Sequence, residues 1–87
     1  MATVFIPVPW RDLTGGISQV EIPGASVAEV VAHLEMRFPG LKSRICVGSE
    51  LAPALQVSID DQMSRRGMRA TLQPHSELHF LPAIGGG

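Results

Sequence analysis

The sequence predicts a two-layer α+β domain, one amphipathic helix laid across a small mixed sheet. Three observations carry that prediction. From Ser26 to Phe38 the apolar residues recur at helical spacing. Four shorter segments are rich in β-branched or alternating apolar residues. The chain has 87 residues, enough for one core, and a domain of that size buries only about 60% of the surface its unfolded form exposes. One helix has one sheet face to cover, which selects the two-layer arrangement.

"TVFIPV" (Thr3 to Val8) reads as the first strand, ended early by Pro7 or placed where one amide is not needed. "PWRDLTGG" is a connector. "ISQVEI" (Ile17 to Ile22) is the second strand, so the first two form a hairpin with a long loop. Ser26 followed by Glu29 is a capping-box pattern. Val27, Val30, Val31, Leu34 and Phe38 make one apolar stripe, and Pro39-Gly40 stops the helix. "LKSRICV" is a short helical turn or irregular, with Leu41 and Ile45 packed inward. "ALQVSID" (Ala54 to Asp60) is a third strand with Leu55, Val57 and Ile59 on one face, and Asp60-Asp61 supplies turn chemistry. "QMSRRGMRATLQ" is polar and carries only a weak pattern, read as a short edge strand and a turn. "ELHFLPA" (Glu77 to Ala83) is the last strand, with Leu78 and Phe80 on one side and Glu77, His79 and Leu81 on the other.

Composition narrows the function. The chain is 45% hydrophobic and 17% charged, with a formal net charge of -1. Phosphate binding needs a concentrated basic excess, so nucleic acid is excluded as a general partner. With Cys46 as the single cysteine, no intramolecular disulfide can form. The N-terminal segment lacks the basic leader and long apolar core of a secretion signal, and a cytoplasmic location is expected. No stretch approaches the roughly 20 apolar residues of a membrane helix.

Catalytic equipment is sparse. His33, His75 and His79 show no HxxH or HExxH spacing, and there is no CxxC, so neither a metal site nor an enzymatic activity is expected. Cys46 stands between Ile45 and Val47 and reads as a buried, inert thiol. Gly15-Gly16 fits neither phosphate-loop pattern. Arg65, Arg66 and Arg69 form a small basic group, either a solvated edge or an electrostatic contact for a partner.

The ending "LPAIGGG" (Leu81 to Gly87) then stands out. Glycine backbone adopts almost any conformation and passes through a channel too narrow for side chains. Three extended residues reach roughly 10 Å. The expected layout is a body over residues 1–84 and a flexible glycine tail over residues 85–87. A terminal carboxylate is ionised at neutral pH and is a poor electrophile, so it reacts only after activation, most simply by adenylation on another protein.

These features resemble the MoaD/ThiS family of sulfur-carrier proteins, small ubiquitin-like β-grasp domains. The resemblance is spread over "FIPVPWRDLTGG", "SVAEVVAHLEMRFPGL", "VSIDDQ" and "ELHFLPAIGGG", and the C-terminal motif is its specific part. Gly86-Gly87 matches the family diglycine. Gly85 stands where Ala is frequent, and "QPHSE" replaces an Asp-Gly-Asp turn. The resemblance implies that an adenylyltransferase of the ubiquitin-activating type, using ATP and Mg²⁺, activates the Gly87 carboxylate. A sulfur donor protein then supplies sulfur to give a thiocarboxylate, with Gly85 and Gly86 threading partner active sites. A recipient enzyme takes the sulfur. A pyridoxal-phosphate-dependent cysteine synthase is the first expectation and the large subunit of molybdopterin synthase the second. The chain itself binds no cofactor. Partner docking is expected at Leu81, Pro82 and Ile84 on the sheet face away from the helix, with Arg65, Arg66 and Arg69 as a polar rim. A protein modifier joined through Gly87 and a plain interaction module are the competing readings.

Overall fold

The structure is a computed structural model, and it describes residues 1–82. Ala83, Ile84, Gly85, Gly86 and Gly87 lie outside the described residues, and with them the expected tail. The strands are β1 (Ala2–Phe5), β2 (Gln19–Ile22), β3 (Cys46–Val47), β4 (Glu50–Leu51), β5 (Gln56–Ile59), β6 (Gln62–Ser64) and β7 (Glu77–Leu81). The helices are α1 (Val27–Arg37) and α2 (Leu41–Ile45), with short 3-10 turns at Val8–Trp10 and Gly67–Arg69. Five strands form one mixed sheet in the order β2-β1-β7-β5-β6, in which β1 and β7 run parallel and the other pairs antiparallel. The expected architecture is present, with α1 across one sheet face. Strands β3 and β4 pair separately as a small second sheet; "LKSRICV" is helical only over Leu41–Ile45, its last two residues form β3, and the sequence assigned no element to Glu50–Leu51.

The apolar stripe of α1 explains its seat. Val27, Val30, Val31 and Leu34 are all 0% exposed and meet Val4, Val57 and Leu78, which alternate inward along their strands. Local chemistry sets both ends of the helix. The Ser26 hydroxyl accepts from the Glu29 N–H at 3.2 Å, and the Glu29 carboxylate accepts from the Ala25 N–H at 3.0 Å. This is the expected capping box with its return bond one residue earlier. At the other end the Glu35 carboxylate accepts from the N–H groups of Gly40 and Lys42, the latter at 2.8 Å, and ties α1 to α2.

Gly24 allows the approach to α1. A Cβ there would meet Val30 Cγ2 at 2.8 Å and Val30 N at 2.9 Å, and its φ of +151° disfavours any other residue. Between β5 and β6 the turn has only two residues, Asp60 and Asp61, with φ of 51° and 68°. Positive φ at both positions marks a type I′ hairpin turn.

Asp60 also locks β5 to the entry of β7. Its carboxylate accepts from the Glu77 N–H and the Ser76 hydroxyl, each at 2.9 Å, while its own N–H donates to the Glu77 carbonyl at 3.0 Å. Ser76 is buried, and its Oγ in turn accepts from the Gln73 N–H.

Two stability predictions follow from these contacts. Gly24→Ala should destabilise the fold by about 2 kcal/mol, the usual scale for a forced overlap in a packed site, read from the midpoint of urea unfolding. A midpoint equal to that of the parent would show that the Val30 turn yields. The second concerns acid. Bonds from Glu77 N–H and then from Ser76 hold the Asp60 carboxyl below its usual range, and bonds from the Gly40 and Lys42 amides do the same for Glu35. A depressed folded-state value stabilises the fold above the unfolded value, and that contribution is lost as pH falls through the folded one. The thermal midpoint should therefore drop once the pH falls below about 4, and Asp60→Asn should flatten that drop. An identical acid profile in the variant would remove Asp60 from the account.

Candidate functional site

The site is built where the last strand leaves the sheet. β7 lies between β1 and β5, with Phe5 opposite His79 and Gln56 opposite Leu81. Leu78 and Phe80 point into the core, so Glu77, His79 and Leu81 are left on the face away from α1. Leu81 is 41% exposed there, as expected from its alternation with Phe80.

The connector after β1 supplies the opposite wall. Pro7 ends the strand, and the chain turns through Val8–Trp10. Trp10 buries its ring against Phe80, with centroids 5.6 Å apart. Arg11 Nε donates to the Ile6 carbonyl at 3.0 Å. Arg44 reaches from α2 to the Pro9 carbonyl at 3.1 Å and to the Asp12 carboxylate at 3.2 Å. Thr14, also buried, holds its hydroxyl 3.0 Å from the Ile17 carbonyl. These anchors hold Pro7, Val8 and Pro9 up against the end of β7, and Val8 remains 70% exposed.

The result is an open groove of about 860 Å³, lined by Phe5, Pro7, Val8, Pro9, His79, Leu81 and Pro82, with Ile6, Phe80, Arg11 and Ser18 also contributing. Phe5 and His79 form its floor. Their rings lie parallel within 4° at a centroid distance of 4.1 Å. A stacked pair of this kind is a flat, rigid apolar surface with a polar edge. Shape and composition suit a protein surface or peptide segment, since exposed apolar patches beside polar groups mark such contacts.

The described residues contain no cluster of three or more His, Cys, Asp or Glu side chains suited to a metal ion. Cys46 is buried and directs its thiol to Met68 Sδ at 3.7 Å. Burial pushes that thiol's pKa up, partly countered by the charge on Lys42, which disfavours the reactive thiolate. His33 is exposed, with Nδ1 3.0 Å from the Glu29 carbonyl. His75 occupies a turn at φ 68° and donates its N–H to the Met1 carbonyl. No helix among the described residues is long and apolar enough to cross a membrane.

The predicted site residues separate into groups. Leu81 and Pro82 share the groove. Arg65, Arg66 and Arg69 lie in another depression with Glu50 and Met68, and the two hollows have no lining residue in common. The polar residues at the groove itself are Arg11, Ser18 and His79. Ile84, Gly85, Gly86 and Gly87 lie outside the described residues. Sequence reasoning missed Phe5, Val8 and His79 as partners of Leu81. The usable signal was Pro7-Val8-Pro9, an apolar trio in a connector that follows neither the helical nor the strand period.

Comparison with known proteins places this geometry. The chain is 28% identical over 90 residues to the sulfur carrier protein CysO of Mycobacterium tuberculosis, covering 98% of this chain and 97% of that protein. It superposes on a chain of the Amycolatopsis orientalis BexX/CysO complex with a TM-score of 0.93 at 35% identity, each chain covered in full. The small archaeal modifier protein 1 of Methanosarcina acetivorans shares the fold, with a TM-score of 0.83 at 24% identity over 99% of this chain and 95% of that one. The architecture is thus a ubiquitin-like β-grasp. The model of the ThiS family matches residues 4–87. With nearly its whole length matched, the chain belongs to the ThiS family.

Proposed function

We propose that this ThiS-family chain, a sulfur carrier, holds sulfur as a thiocarboxylate on Gly87 and presents it to partner enzymes. The observation that carries this reading is the family match running through residue 87, where Gly85, Gly86 and Gly87 stand. The Gly87 carboxylate attacks the α-phosphate of Mg²⁺-bound ATP on an adenylyltransferase, releasing pyrophosphate and forming an acyl adenylate. A sulfide equivalent from a sulfur donor protein displaces AMP. The thiocarboxylate sulfur then attacks an electrophile held by a recipient enzyme, and hydrolysis returns the carboxylate.

In this scheme the chain is a co-substrate. Adenylation needs no side chain of its own, which is consistent with the buried thiol of Cys46. The recipient we favour makes cysteine, since the named relatives are CysO proteins. Such ATP-using partners place the work in the cytoplasm. Residues 1–84 would then serve as the body and residues 85–87 as the tail. The groove with Leu81 and Pro82 is the body's docking surface, continued by Ile84.

Two experiments check this reading. ATP–pyrophosphate exchange with the adenylyltransferase of the same organism should proceed with the parent chain. It should vanish on deleting Gly87 or on Gly86→Trp, with Cys46→Ser fully active and the far-ultraviolet spectrum unchanged throughout. Intact mass after adding a sulfide source should show one oxygen exchanged for sulfur at the C-terminal peptide. An active Gly87 deletion would refute the scheme, and lysine-linked conjugates in place of the sulfur product would favour the modifier reading. For the groove, Leu81→Asp should lower kcat/KM for adenylation about tenfold, the scale of a central contact residue. Undiminished turnover by the folded variant would move docking off this face.

A further inference from the structure

Arg65, Arg66 and Arg69 bring three of the chain's seven basic residues into one turn of a protein whose net charge is -1. All three are exposed, and they line a depression of about 660 Å³ with Glu50 and Met68. Among the described residues none of the three guanidinium groups enters a hydrogen bond or ion pair; the ion pair present joins Arg44 to Asp12. The backbone beneath them is firmly held. Arg66 N–H donates to Ser64 Oγ at 3.1 Å, Arg69 N–H to the Arg66 carbonyl at 3.0 Å, and Val27 N–H to the Ala70 carbonyl at 2.9 Å. Met68 packs on the core and receives the Cys46 thiol. A fixed turn thus carries three like charges beside a single carboxylate, Glu50, that lines the same depression without pairing with them among the described residues, an arrangement that leaves a net positive field for an opposite charge to meet.

Strand register locates the turn relative to the tail. Leu81 pairs with Gln56, and Ser64 pairs with Val57, so Arg65 follows beside Gln56 at the same end of the sheet. Two strand spacings separate it from Leu81, about 10 Å. The five residues after Pro82 span at most about 17 Å. A protein that grips Gly87 is therefore confined to a zone that includes this turn.

We propose that the Arg65–Arg69 turn is an electrostatic docking site for an acidic surface on the protein that receives the Gly87 end. The identity of that partner rests on the carrier reading above. Guanidinium forks match carboxylates in planar, paired hydrogen bonds. Three arginines on an acidic chain are too few to track a nucleic-acid backbone, whose binding grows with the number of phosphates neutralised. The turn adds steering and orientation to the apolar contact made by the groove.

The test is the exchange assay with the adenylyltransferase of the same organism, run at two salt concentrations with the triple variant R65Q/R66Q/R69Q. At about 0.1 M salt, kcat/KM should fall about tenfold through KM, with kcat kept. At about 1 M salt, where the screening length shrinks to about 3 Å, parent and variant should converge. Arg37→Gln, which removes a charge on α1, should track the parent. Equal parent and variant at low salt, or a loss untouched by high salt, overturns the proposal. A second measurement does not depend on adenylation: nuclear magnetic resonance titration of the labelled chain with an octaglutamate peptide. Amide shifts should concentrate at residues 64–70 and disappear in the triple variant. Absent or scattered shifts overturn the site, and tighter binding of a single-stranded DNA of equal charge overturns the assignment to an acidic protein. If the parent chain is not adenylated at all while the peptide still binds this turn, the carrier scheme fails and the docking site stands.

Discussion

The parallel pairing of β1 with β7 is the contact on which the rest of the molecule depends. It joins the two ends of the chain in the middle of the sheet, with Val4 beside Leu78 and Phe5 beside His79. A parallel pair cannot close through a short turn, so the intervening chain must cross over, and here it does so through α1 and α2. That crossover covers the inner face of the sheet, buries Val4, Val57 and Leu78 completely, and leaves the outer face open. One pairing thereby makes the core, exposes the Phe5–His79 stack and sets the direction in which Pro82 leaves the body.

The division of labour between the two faces follows. The inner face is spent on stability, which a small domain needs because so much of its surface stays wet. Among the described residues the outer side keeps Val8 and Leu81 exposed. Connector anchoring matters here: Trp10 against Phe80 and Arg44 at the Pro9 carbonyl hold Val8 in place beside Leu81. A surface organised before binding loses less conformational freedom on association. The same logic applies to the arginine turn, whose backbone is bonded to β6 and to the start of α1 while its side chains extend into water.

Much of the fold was legible because its signals are local. The Ser26 cap, the α1 stripe and the Pro39-Gly40 stop each act within one or two helical turns, and the structure places α1 at Val27–Arg37 accordingly. Alternation identified β5 and β7 and assigned Leu78 and Phe80 to the core. The β3–β4 pair escaped notice because two-residue strands hold too few side chains to show a period. Strand limits were read too long at β1, β2 and β5 because apolar residues such as Ile6, Ile17 and Leu55 continue past the ladder.

By itself the sequence determined α1 and the main-sheet strands β1, β2, β5 and β7, their inward faces, the burial of Cys46 and the glycine-rich stretch within the ThiS-family match. These depend on the order of neighbouring residues, on composition and on an ending readable as text. Tertiary structure alone decided that Phe5, Val8, His79 and Leu81 form one groove, and that Arg65 stands two strands from Leu81 at the same sheet end. Those residues come from distant parts of the chain, and no local periodicity encodes which of them will be neighbours. Their meeting is a consequence of strand order and register, which are settled only when the whole sheet closes around its core.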